Sequence, residues 1–220
     1  MSLDELIDEF YTKMGLDFRA NLRPGQICSA PVLYSNENAE IWRPSRYDGS
    51  QTQATDFRQI AKPGNAYKEA RVIHTPRLDP YEEFPVIRAK CRPVILLAPD
   101  PPVIDVRPDI MKLDKHLCLV APCYSVVDQM GKSKIDPGVL DRVRRLEFPQ
   151  FLFLPKTAAL TNDSLLRLDS IHHTYRAQLD PTQWRLSMDV WRIVSGQLEF
   201  IFSGICGGEF KAARDILHEK

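Results

Sequence analysis

Apolar residues in this chain are grouped in short runs, and two longer stretches repeat with helical spacing. In residues 2–14, Leu3, Leu6, Ile7, Phe10, Tyr11 and Met14 fall on one stripe of a helix. Ser2 and Glu5 match the S-x-x-E capping box ahead of that stripe, and Gly15 follows it as a stop. The pattern predicts a helix over 2–14 whose stripe faces the core or another chain. Ser187 precedes a second stripe, Val190, Trp191, Val194, Leu198, Ile201 and Phe202, which Gly204 ends. Asp136-Pro137 reads as an N-cap with proline at the first helical position, opening a short helix to about Leu146. A charged amphipathic segment over 209–219 closes the chain as another short helix.

Between these helices the pattern is that of strands. Arg23-Pro24-Gly25 is a turn, and residues 26–34 read as a first strand. Val94-Ile95-Leu96-Leu97-Ala98 is strongly apolar and is stopped by Pro99, Pro101 and Pro102. Strands follow at 117–124, at Phe151-Leu152-Phe153-Leu154, and at 164–171, where apolar and polar residues alternate. Residues 35–89 are different: polar, weakly periodic and punctuated by Pro44, Pro63, Pro76, Pro80 and Pro85. A stretch this long is unusual within one domain and reads as an insertion with one or two short elements of its own. Short strands, few crossover helices and a closing C-terminal helix predict a mainly β fold with added helices, a small antiparallel barrel.

Composition narrows the setting. The 220 residues fit a single domain over 1–220 that carries a large insertion. No apolar run approaches the roughly 20 residues of a spanning helix, and the acidic start MSLDELIDEF lacks the features of a signal peptide. The five cysteines are scattered with no Cys-x-x-Cys pair, and Cys118 and Cys123 sit in an apolar run as small hydrophobes. A reducing cytoplasm is the simplest location. Lys and Arg number 29, as do Asp and Glu, so no overall field draws polyanions. Any nucleic acid must be met by a local cluster.

Four segments, in order, resemble the MazF/PemK toxins, the family that includes Kid. Arg23-Pro24-Gly25-Gln26-Ile27 is similar to the family's opening strand, and Arg92-Pro93-Val94-Ile95-Leu96-Leu97 to its R-P-[VA]-[LIV] strand. Leu119-Val120-Ala121-Pro122-Cys123-Tyr124-Ser125 resembles the strand that ends in Thr or Ser. Residues 160–171, LTNDSLLRLDSI, resemble L-x-x-D-S-x-[LV]-x-x-D-Q-I, with Leu186-Ser187 and the following helix matching the family's C-terminal helix. The likeness covers roughly 22–34 and 90–204. Residues 1–21, the N-terminal helical extension, and the insertion 35–89 stand outside it. Ser170 replaces the family's Gln, and His172-His173 stand where Arg-Thr is common.

The resemblance implies an SH3-like barrel and a cytoplasmic toxin–antitoxin protein that cleaves single-stranded RNA without metal or cofactor. It also implies a homodimer and a cognate antitoxin as partner. Such cleavage uses the 2′-OH as nucleophile on the adjacent phosphate and leaves a 2′,3′-cyclic phosphate. It needs a base near that hydroxyl and cations on the developing charge. By resemblance Arg92, Arg167, Asp169 and Ser125 are the catalytic set. Arg167 and Asp169, two apart on a strand, would share one face; a plain same-face ion pair is the other reading. Arg92 would clamp the phosphate as a charge stabiliser, and Ser125 would donate a hydroxyl, though a serine at a strand end is ordinarily a turn residue. His173 would share the face of Asp169 by alternation, provided no bulge intervenes, and would touch substrate. Arg142 and Arg145, with Arg144 in the densest basic run of the chain, would follow an RNA backbone or form a solvated helix face. A barrel that has lost cleavage and serves as a protein- or nucleic-acid-binding module is the alternative.

Overall fold

A computed structural model of the protein describes residues 1–33, 40–42, 57–59, 71–73, 84–86, 89–99 and 117–219. Its elements, in chain order, are α1 (Leu3–Leu6), β1 (Tyr11–Lys13), β2 (Gln26–Leu33), β3 (Glu40–Trp42), β4 (Phe57–Gln59), β5 (Arg71–Ile73), β6 (Phe84–Val86), β7 (Ala89–Ala98) and β8 (Leu117–Ser125). There follow α2 (Pro137–Arg144), β9 (Phe151–Leu154), β10 (Ser164–Arg167), β11 (His172–Tyr175), β12 (Asp180–Leu186), α3 (Met188–Ser203) and α4 (Gly208–His218). The apolar runs build one eight-stranded sheet, ordered β1-β12-β2-β7-β8-β10-β9, with β11 also paired to β8. Every neighbouring pair in it is antiparallel.

Alternation along the strands gives the sheet two different faces. One face places Ile27, Ile95, Ala121, Leu152, Leu154 and Leu166 in the main core, against Val190, Val194, Phe210 and Leu217 of α3 and α4. The other face carries Cys28, Val94, Leu96, Cys118 and Val120 in a second cluster. Phe153, Leu165, Val126 and Val143 form a third.

The helices lie where their caps and packing put them. The Ser187 hydroxyl accepts from the Val190 N–H at 3.4 Å, and Gly204 ends α3 in the left-handed region at φ 74°. At the α3–α4 contact, a Cβ on Gly196 would lie 2.6 Å from the Phe210 Cβ, so only glycine fits. The Gln197 amide, fully buried, donates to the carbonyls of Pro149 and Phe151 at 3.0 and 2.9 Å. It thereby satisfies acceptors beside the edge strand β9.

The expected small SH3-like barrel is corrected: the antiparallel sheet is not closed. Its edge strands β1 and β9 share no ladder. The Tyr11 hydroxyl instead donates to the Pro155 carbonyl at 2.6 Å, and burial pushes the Tyr11 phenol pKa up. A contact between opposite edges requires the sheet to curl.

Two further expectations are corrected. The helix expected over 2–14 spans only Leu3–Leu6, where the Ser2 N–H donates to the Glu5 carboxylate at 2.8 Å. A helix this short is marginal in water, and Tyr11–Lys13 instead completes the ladder along β12. Leu3 and Phe10 enter the main core, with Leu6, Ile7 and Tyr11 packed against it. The stripe is thus used internally, and it no longer argues for a dimer. The strand expected over 164–171 is broken: β10 ends at Arg167, Leu168–Ser170 form a 3₁₀ turn, and β11 begins at His172. Both halves pair with β8, at Leu166↔Cys123 and His172↔Val120. Ala121 and Pro122 face the interruption, and Pro122 has no N–H with which to hold a continuous ladder.

The remaining elements fall close to expectation. The predicted strands at 26–34, 94–98, 117–124 and 151–154 match β2, β7, β8 and β9; α2 and α3 begin at their predicted caps, and α4 falls on the helix expected over 209–219. Among the described residues between β2 and β7 are four short strands, pairing as β3 with β6 and β4 with β5. Their partners are nested inside the Leu33↔Ala89 pair that joins β2 to β7. No helix among the described residues is long and apolar enough to cross a membrane.

Candidate functional site

On the face opposite α3 and α4, β7, β8 and β10 bring two arginines to one tyrosine. Arg92 leaves β7 two residues before Val94, which pairs with Pro122, so it shares a face with Tyr124. Arg167, two residues beyond Leu165, whose partner is Tyr124, stands on that face too. The Arg92 Cζ lies 4.5 Å from the Tyr124 ring centroid, and the Arg167 Cζ lies 5.7 Å from it. Both are within cation–π range. Phe151, paired with Arg167 across the β9–β10 ladder, supplies a second ring at 5.8 Å from its Cζ.

The 3₁₀ turn then folds Asp169 back onto Arg167. The Arg167 Nε donates to Asp169 Oδ1 at 2.9 Å and its Nη2 to Oδ2 at 2.6 Å, a two-pronged contact. The Ser170 hydroxyl adds a bond to Oδ1 at 3.3 Å. Burial alone would push the Asp169 carboxyl up. The hydrogen bonds and charge of Arg167, with Ser170, outweigh it and hold the group below the usual carboxylate range. The same hydrogen bonds hold the Arg167 guanidinium above its ordinary value. The expected pairing of Arg167 with Asp169 is present, but it arises from a turn rather than from two positions on one strand.

The other expected residues lie elsewhere. Ser125 follows Tyr124 and pairs with buried Ser164, on the opposite face. Its hydroxyl donates to the Val127 carbonyl at 2.8 Å and accepts from the Val127 N–H at 3.3 Å, the habit of a strand-end turn. His173 pairs with Leu119 and lies exposed on the face of the main core. The turn at 168–170 shifts the alternation, so that His172, paired with Val120, shares the face of Tyr124. The His172 Nδ1 is 3.2 Å from the Ser170 carbonyl, and its Nε2 is buried without a hydrogen-bond partner.

The basic run on α2 is neutralised by its own neighbourhood. Arg142 Nε donates to Glu147 at 2.6 Å, and Arg145 Nη2 to Asp141 at 2.9 Å. Arg144 stands 3.7 Å from Asp4 and stacks on Phe153 with its Cζ 4.1 Å from the centroid. These contacts fit a helix face fixed by local ion pairs better than a track for RNA. A run that mixes aromatics with arginines as single-strand binders do, Trp42-Arg43-Pro44-Ser45-Arg46-Tyr47, lies outside the described residues apart from the backbone of Trp42. Among the described residues, no group of three or more His, Cys, Asp or Glu side chains is placed to hold a metal.

Tyr124 is the residue that sequence reasoning passed over. Its signal was parity: it lies two residues beyond Pro122, on the face shared with Arg92 once β7 and β8 are paired. Comparison with known proteins finds no family model that matches this chain and no matching curated relative.

Proposed function

We propose that this protein is a MazF/PemK-like endoribonuclease acting on single-stranded RNA without a metal. The observation that carries the proposal is the meeting of Arg92 and Arg167, from separate segments, on the Tyr124 ring, with Asp169 attached to Arg167. In this reading the scissile phosphate lies against the two guanidinium groups. They stabilise the charge that develops as the 2′-OH attacks. The phosphate takes the place of Asp169 on Arg167, and the released carboxylate accepts the hydroxyl proton. The leaving 5′-oxygen takes a proton from solvent, and the other product ends in a 2′,3′-cyclic phosphate. A cytoplasmic setting, a cognate antitoxin and a homodimer belong to the same proposal.

One observation favours a second reading, an RNA-binding module without cleavage. Asp169 is held ionised and engaged, and the Ser125 hydroxyl is committed to its own turn. One experiment separates the two. Purified protein in EDTA is incubated with a mixed RNA pool, and fragment ends are analysed alongside binding of a labelled oligonucleotide. Fragments with 2′,3′-cyclic phosphate ends support the nuclease. Binding without fragments supports the module, and the absence of both binding and fragments removes both readings.

A further inference from the structure

Two arginines on one aromatic ring present a problem of electrostatics as well as an opportunity. Like charges repel, and each long side chain loses much rotamer freedom when it is fixed. The electron-rich ring of Tyr124 offsets both costs, with Arg92 at 4.5 Å and Arg167 at 5.7 Å from its centroid. The ring itself stands on a defined backbone. Tyr124 lies in the β8–β10 ladder opposite Leu165, and the next residue, Ser125, is tied to Val127 on both its donor and acceptor sides. On Arg167, Nε and Nη2 are turned toward Asp169. Its plane is therefore set from one side by the carboxylate and from others by Tyr124 and Phe151.

We infer that Tyr124 is a positioning residue, whose ring seats Arg92 and Arg167 so that both guanidinium groups address one phosphate of single-stranded RNA. This rests on the RNA reading above and gives it a residue that the resemblance did not supply. The ring, not the hydroxyl, does the seating. Tyr124→Phe therefore keeps the function and Tyr124→Leu loses it, while neither touches the groups that meet substrate. Preorganisation also makes the two arginines interdependent: once one is removed, the other loses most of its value at the shared phosphate.

The test has two arms. In the first, NMR of the arginine Nε–Hε groups is recorded without RNA. Ring current displaces the Arg92 and Arg167 signals in wild type and Tyr124→Phe; in Tyr124→Leu the Arg92 signal returns toward its ordinary position and the Arg167 signal shifts to the displacement that Phe151 alone produces. In the second, binding of a fluorescein-labelled single-stranded RNA is measured for the same proteins and for Arg92→Ala, Arg167→Ala and the double variant. Tyr124→Phe should bind within about twofold of wild type, and Tyr124→Leu roughly tenfold more weakly. The coupling between the two arginine substitutions should disappear in the Tyr124→Leu background. Tyr124→Trp, which also keeps a ring, stands in if the leucine variant does not fold, and it should keep both signals displaced. Equal losses in Tyr124→Phe and Tyr124→Leu, or coupling that survives Tyr124→Leu, overturn the inference. Wild type that binds no RNA sinks the proposed function, and the NMR arm still decides whether Tyr124 seats the arginines.

Discussion

The two faces of this sheet are built from the same strands and do opposite work. Toward α3 and α4, Ile27, Ile95, Leu152, Leu154 and Leu166 interlock with Val190, Val194 and Phe210, all of them essentially excluded from water. On the other face, Arg92, Tyr124, Arg167 and Asp169 stand among two smaller clusters, and Arg167 and Asp169 keep about a third of their side-chain surface. Burial of apolar area is worth about 1.5–3 kcal/mol per large side chain, whereas a partly exposed ion pair is worth roughly 0–1 kcal/mol. The larger share of stability therefore comes from the main core on the helical face, while the other face buries the smaller cluster of Cys28, Val94, Leu96, Cys118 and Val120. Arg92, Arg167 and Asp169 can therefore be altered at less cost to stability than the buried residues of either face.

The largest effects should come from breaking the helical face. Phe210 is fully buried, so Phe210→Ala should cost about 3–5 kcal/mol. Gly196→Leu should also destabilise strongly, because the clash is with the Phe210 Cβ and no rotamer relieves it. Urea unfolding monitored by circular dichroism measures both. A loss below 1 kcal/mol in each would mean that α4 does not carry the core as described.

Next in size, and opposite in kind, are Arg92→Ala and Arg167→Ala. Each should change unfolding free energy by about 1 kcal/mol or less. If the protein is a ribonuclease, each should lower the cleavage rate on the order of 10²–10³-fold. Rate loss matched by an equal loss of stability would erase the distinction between the faces.

How much of this contrast could be read beforehand depends on which interactions are local. The caps at Asp136 and Ser187, the stop at Gly204 and the strands β2, β7, β8 and β9 were legible because adjacent residues specify them. Residues 2–14 were misread because the competitor to their helix, the edge of β12, lies far along the chain. The break at 168–170 was hidden for the same reason, since Pro122 faces it only after β8 pairs. That one break decides much of the site. It turns Asp169 onto Arg167 and exchanges the faces of His172 and His173. Arg92, Arg167 and Asp169 were singled out through the resemblance, while the place of Tyr124 beside the two arginines needed the pairing of three strands to become visible.

A smaller effect tests the seam between helices and sheet. Gln197 donates to the carbonyls of Pro149 and Phe151 from a fully buried position. Gln197→Leu leaves those acceptors without that donor and should cost about 1–3 kcal/mol. Amide hydrogen exchange should locate the loosening at β9, with β2 and β7 protected as before. Uniform loosening across the sheet would show that Gln197 acts on the whole core rather than on this edge.

The smallest expected change in stability is the most informative about the arginine face. The folded-state pKa of Asp169 is depressed, so its contribution is present in full above the unfolded value near 3.9 and fades as pH falls through the lower folded value. Wild type and Asp169→Asn should therefore differ by less than about 1 kcal/mol at neutral pH, since the pair is partly exposed. The difference should hold down to about pH 4 and vanish in stronger acid. The same substitution removes the carboxylate that occupies Nε and Nη2 of Arg167. Phosphate then meets less competition, and affinity for single-stranded RNA should rise, up to about fivefold for a pair of this strength. Cleavage should nevertheless fall in the ribonuclease reading, because an amide cannot accept the 2′-OH proton. Tighter binding with lost cleavage identifies Asp169 as both the occupant of the phosphate position and the base. Tighter binding to a protein that never cleaved gives it the first role alone. Weaker binding would show that Asp169 holds Arg167 in its working position instead of competing for it.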